Sequence, residues 1–162
     1  MRRAWLMKLT AFGVVILLGC KEPAGAGSNE IVGSWHQASQ QLSPFGTYEF
    51  RVTFTQGGRF TTDGRMYGVY GGRPPKELSS YSKTEGTYST DGDRLILSPQ
   101  RLTSWDRFYG ASSPERVDEP YPYSGYFDDA RYEVSGSTLT LRYTTYPADA
   151  PIPASMDLKR GD

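Results

Sequence analysis

The stretch Tyr48-Glu49-Phe50-Arg51-Val52-Thr53-Phe54-Thr55 alternates strictly between apolar and polar side chains. Successive residues of an extended chain point to opposite faces, so Tyr48, Phe50, Val52 and Phe54 share one face while Glu49, Arg51, Thr53 and Thr55 share the other. Such a strand has one side in a core and the other in water. Gly57 and Gly58 follow at once and Arg59-Phe60-Thr61-Thr62 continues, which predicts a hairpin.

The same pattern recurs along the chain. Gly86-Thr87-Tyr88-Ser89-Thr90 leads through Asp91-Gly92 into Arg94-Leu95-Ile96-Leu97, and Asp-Gly supplies the positive φ of a tight turn. Ala130-Arg131-Tyr132-Glu133-Val134 leads through Ser135-Gly136 into Thr138-Leu139-Thr140-Leu141. No segment from residue 30 onward carries a sustained helical period with caps. The spacing predicts strands over residues 32–37, 48–55, 59–66, 83–90, 94–98, 102–109, 131–134, 138–144 and 155–160. Residues 68–82 and 109–129 are longer than simple hairpin links require. Each strand pairs most simply with its sequence neighbour, and closing the sheet removes aggregation-prone edges. The expected fold class is therefore all-β: an up-and-down antiparallel meander closing into a small barrel of about eight strands.

Gly33-Ser34-Trp35, Thr53-Phe54-Thr55-Gln56-Gly57-Gly58-Arg59-Phe60, Gly86 to Leu95 and Tyr132 to Leu141, in that order, resemble the bacterial lipocalin-like domains. The resemblance covers most of residues 31–160. It implies structural roles for Gly33 and Trp35, with Trp35 packed across the closed end of the barrel against a basic residue, Arg160 or Arg142. No second motif of that family is found, so the resemblance extends to the fold and names no ligand.

At the amino terminus Arg2, Arg3 and Lys8 flank an apolar run, residues 9–18, in the layout of a secretory signal. Roughly ten helical residues span only about half of a hydrocarbon core some 30 Å thick. The run ends in Leu17-Leu18-Gly19-Cys20, which resembles the lipobox of bacterial lipoproteins. That resemblance implies cleavage before Cys20, acylation of Cys20 and a lipid bilayer as partner. The expected organisation is a lipoprotein signal peptide over residues 1–19, a lipidated cysteine and flexible tether over 20–29, and a lipocalin-like barrel over 30–162. Lys21 after the cysteine implies, by resemblance to enterobacterial lipoproteins, the outer membrane rather than the inner. Arg2-Arg3 leaves both general and twin-arginine export open.

Removing residues 1–19 takes away three basic residues and no acids, leaving 15 basic against 18 acidic residues. Interspersed charge of this balance argues against nucleic acid as a partner. Cys20 is the only cysteine and His36 the only histidine. The mature domain is therefore expected to have no disulfide and no thiolate or histidine-based metal site. His36 reads as a strand-surface residue, and Asp91, Asp93, Asp128 and Asp129 read as turn and loop residues. No catalytic residue, metal or cofactor is expected.

Twelve Tyr, seven Phe and three Trp remain to be explained. Tyrosines on strands fill barrels, whereas Tyr121, Tyr123 and Tyr126 lie in a run beside Pro120 and Pro122 that suits packing and recognition equally. Together with Trp105 and Tyr109 they are expected at a cavity mouth. Two functions follow. One is a non-enzymatic envelope lipoprotein binding a small apolar or amphipathic ligand. The other is an interaction or scaffold lipoprotein with a filled barrel, its insertions contacting an envelope protein. Cavity volume discriminates between them.

Overall fold

A computed structural model of the chain describes residues 30–42, 46–68, 77–107, 117–123, 126–146 and 150–161. Ten strands occur among the described residues: β1 (Gly33–His36), β2 (Gln40–Leu42), β3 (Gly46–Phe54), β4 (Arg59–Tyr67), β5 (Leu78–Asp91), β6 (Arg94–Asp106), β7 (Val117–Pro120), β8 (Asp128–Ser135), β9 (Thr138–Thr145) and β10 (Ile152–Arg160). All pairings are antiparallel, and no helix occurs among the described residues. The sheet runs β1-β10-β9-β8-β6-β5-β4-β3-β2, and pairing of β1 with β3 closes it. Eight strands form the closed ring. β2 extends the edge of β3 beyond β1, while β7 lies on β6 where β8 has turned away.

The alternation in residues 48–55 is realised in β3, where Phe50, Val52 and Phe54 are buried and Arg51 is exposed. Gly58, Gly92 and Gly136 hold φ of 72°, 58° and 57° in the three tight turns. These turns lie at one end of the barrel together with Trp35, and that end is sealed. Ile31, Trp35, Phe54, Phe60, Leu139, Leu141 and Leu158 are almost wholly buried there. Trp35 donates from Nε1 to the Ile31 carbonyl at 2.8 Å. The Arg160 guanidinium, not that of Arg142, lies 4.1 Å over the indole ring and donates to the carbonyls of Val32 and Glu30. Gly33, with φ of 134°, leaves room for that guanidinium, since a Cβ there would lie 2.8 Å from Arg160 Nη1.

Several strands exceed their expected bounds, among them β5, β6, β8 and β10. β5 begins at Leu78 rather than residue 83, and β6 runs unbroken to Asp106 as one strand instead of two. A bulge makes this possible. Glu85 pairs with Arg101 and Gly86 pairs with Pro99, so Gln100 is the extra residue. Proline has no N–H to give to the ladder and is tolerated at such an interruption. Gly86 is required by close approach: a Cβ there would collide with the Ser98 carbonyl oxygen and sit 2.8 Å from the Phe60 ring. Gly86→Ala is expected to destabilise the barrel by about 1–3 kcal/mol, the usual range for overpacking, read as a lowered urea midpoint. An unchanged midpoint would show that the bulge yields freely.

Candidate functional site

Barrel-facing side chains change character from one end to the other. Phe60, Tyr88 and Leu95 fill the sealed end, whereas the same strands present Thr62, Thr84, Ser82 and Ser104 farther up. Short hydroxyl side chains cannot fill a barrel, and a lumen of about 490 Å³ results. Its hydroxyls come from Thr62, Ser82, Thr84 and Ser104, with phenols from Tyr48, Tyr121, Tyr123, Tyr126 and Tyr143. Its apolar surface comes from Phe50, Leu102, Phe127 and Met156. Gly64 on β4 leaves room for two of these side chains, since a Cβ there would lie 3.0 Å from the Tyr48 hydroxyl and 3.1 Å from Ser82 Oγ.

Tyr126 and Phe127 form the floor and one wall. The Tyr126 ring stacks on Phe60 with centroids 5.9 Å apart, and its hydroxyl lies 2.7 Å from Thr62 Oγ1. Phe127 makes edge contacts with Tyr126 at 4.8 Å and with Tyr143 at 4.5 Å. The backbone turns sharply to deliver these rings. Phe127 and Asp129 have φ of 53° and 50°, and the β8–β9 register shifts between Asp128 and Arg131. A bulky residue at positive φ is strained, and here the surrounding rings hold it. The strained segment lies at the seam with the fewest register pairs among the described strands of the ring. β6 and β8 share a single register pair, Arg94 with Arg131, reinforced by the Arg131–Asp93 ion pair at 2.8 Å.

Burial raises the pKa of Tyr126 to about 12, against an opposing pull from hydrogen bonds to Thr62 and Thr84. Loss of hydration is also the leading cause of the upward shifts at Tyr48, Tyr121 and Tyr143. A phenolate is disfavoured at each of these four positions because the lumen wall hydrates it poorly.

The structure brings together three of the expected mouth residues. Tyr121 contacts Tyr123 at 5.4 Å and Tyr126 at 5.7 Å, and all three line the lumen. Tyr123 stands at the rim, 66% exposed. Trp105 does not join them. Ser104 and Leu102 line the lumen, so Trp105, one residue on, takes the outer face opposite Tyr81 with the Arg107 guanidinium 4.9 Å from its ring. The extra residue Gln100 sets this orientation, because it reverses the inward parity of β6 between Leu95 and Leu102. Tyr109 and Cys20 lie outside the described residues. Tyr48, Thr62, Thr84 and Tyr143 were not singled out in the sequence. Inward Ser and Thr leave no hydropathy signal, although the alternation that defines β3 already placed Tyr48 on the inner face.

A second cleft of about 380 Å³ lies where β1 gives way to β2 along β3, lined by His36, Glu49, Arg51, Asp63 and Arg65 among others. Arg65 is already bonded to Asp63 at 2.7 and 3.2 Å, and Glu49 and Arg51 are solvated. Among the described residues no group of three His, Cys, Asp or Glu side chains is placed to hold a metal ion. Compared with known proteins, the chain matches no family model and no curated protein sequence.

Proposed function

We propose that this chain is a lipid-anchored lipoprotein of the bacterial cell envelope, held by acylated Cys20 and preferentially in the outer membrane, whose lipocalin-like barrel binds a small apolar or amphipathic molecule. The observation that carries the binding reading is the lumen of about 490 Å³, walled by aromatic rings and hydroxyls. Ligand pockets occupy about 300–1,000 Å³ and combine apolar walls with a few placed polar groups. The lipobox-like string ending at Cys20 supports the anchor. The molecule is read as a binder without a reaction of its own. The alternative, a scaffold lipoprotein recognised by an envelope protein, draws support from Tyr123, Tyr146 and Ile152, which stand 66%, 53% and 47% exposed.

Native mass spectrometry of the protein expressed from its full gene in a bacterial envelope tests both parts. The expected polypeptide lacks residues 1–19, carries acyl mass on Cys20, and retains a further few hundred daltons of cargo. The cargo is expected to disappear in Gly64→Val, whose side chain would enter the lumen against Tyr48 and Ser82. A chain retaining residues 1–19 would refute the anchor. A bare acylated polypeptide, even after incubation with envelope lipid extract, would refute cargo binding and favour the scaffold alternative.

A further inference from the structure

We infer that the ligand of this lumen is an electrically neutral molecule with an apolar ring or chain and a hydroxyl or carbonyl group, and that ionised carboxylates are rejected. The inference rests on the binding reading above and narrows it to one chemical class. Three observations carry it. Among the described residues, every polar side chain lining the lumen is a hydroxyl, and none is Lys, Arg or His. An anion entering there would shed its water and find no cation in return. Hydroxyls can each donate or accept, so they suit an uncharged polar group of either kind.

The second observation is the protein's own acids. Five phenols line this lumen, and at Tyr48, Tyr121, Tyr126 and Tyr143 the pKa is raised with loss of hydration as the leading cause. A ligand carboxylate would meet the same poorly hydrating surface. The third is geometric. Tyr126 holds its hydroxyl 2.7 Å from Thr62 with its ring stacked on Phe60, and besides the lumen it lines a cleft with Tyr123, Asp128 and Tyr146 and another between β6 and β8 with Leu95 and Leu97. It therefore sits where a ligand would meet both the hydroxyl set and the aromatic floor. Tyr126 is thus the residue that selects a polar, uncharged group.

Equilibrium dialysis against the full mature chain in phospholipid nanodiscs, with empty nanodiscs subtracted, tests this using three probes of one ring system. These are 2-naphthylmethanol, 2-naphthoate and 2-methylnaphthalene at pH 8. The alcohol is expected to bind at least tenfold more tightly than the carboxylate and several-fold more tightly than the hydrocarbon. Tyr126→Phe, which keeps the ring, is expected to erase the advantage of the alcohol over the hydrocarbon. Thr62→Val is expected to reduce that advantage without disturbing the floor. Carboxylate binding equal to or tighter than alcohol binding would overturn the inference while leaving the binding reading intact. Unchanged selectivity in both variants would overturn the role of Tyr126. No binding of any probe would overturn the binding reading itself.

Discussion

Trp35→Ala is expected to cost the barrel about 3–5 kcal/mol, the range for removing a large buried aromatic side chain. The residue is fully buried, and its loss opens a void at the sealed end among Phe54, Leu139 and Leu158. Two further losses follow. The Ile31 carbonyl loses its indole donor, and the Arg160 guanidinium loses the ring beneath it. Domains of this size typically have about 5–15 kcal/mol of stability, so the variant approaches the unfolding threshold at room temperature. Urea unfolding monitored by far-ultraviolet circular dichroism measures the loss. Trp35→Phe keeps an aromatic ring but no donor and is expected to fall between the two. A loss under about 1 kcal/mol for Trp35→Ala would mean that the sealed end is held by the sheet closure alone.

Alkaline pH is expected to weaken the barrel in a window set by Tyr126. Its folded pKa, about 12, lies above the ordinary phenol value of 10.0. The folded state therefore binds its proton more tightly than the unfolded state. This contribution is complete below pH 10 and is lost as pH rises toward 12. A shift of about two units corresponds to roughly 2–3 kcal/mol. Tyr48, Tyr121 and Tyr143 shift in the same direction, so the whole protein should lose more than Tyr126 alone accounts for. Comparing urea midpoints at pH 9 and 11.5 in the parent and in Tyr126→Phe isolates the single residue. The parent is expected to fall further than the variant. Equal falls would show that the Tyr126 hydroxyl is ionised as easily as in water.

Residues whose two faces differ in polarity announced the fold. Phe50 beside Arg51, and Tyr132 beside Glu133, fix both the presence of a strand and its inward side. Asp91-Gly92 and Ser135-Gly136 then fix the register of their hairpins. Where both faces are polar the pattern falls silent. The start of β5, Leu78-Ser79-Ser80-Tyr81-Ser82, turns serine toward the lumen, and β7 is exposed at every position, so neither shows alternation. The site was legible only in part for the same reason. Tyr121, Tyr123 and Tyr126 stood out by composition, while Thr62 and Thr84 are ordinary strand residues until the barrel closes around them. The outward turn of Trp105 depends on one bulge residue, Gln100. Pro99 in the middle of an apolar alternation, with Gly86 opposite, is the local sign of that bulge.

The chain joins the barrel beside Trp35, at its sealed end, where Arg160 grips the Glu30 and Val32 carbonyls. A lipid on Cys20 would thus tether the molecule from below, by a leash of ten residues reaching at most roughly 35 Å. Nine-residue strands, tilted as in other barrels, set the rim about 20–25 Å beyond that attachment. A leash of that reach exceeds the height of the barrel, so the aperture would be free to turn toward the bilayer or away from it. If the proposed acylation and cargo binding both hold, the leash would open the lumen to exchange with the anchoring leaflet as well as with the aqueous space.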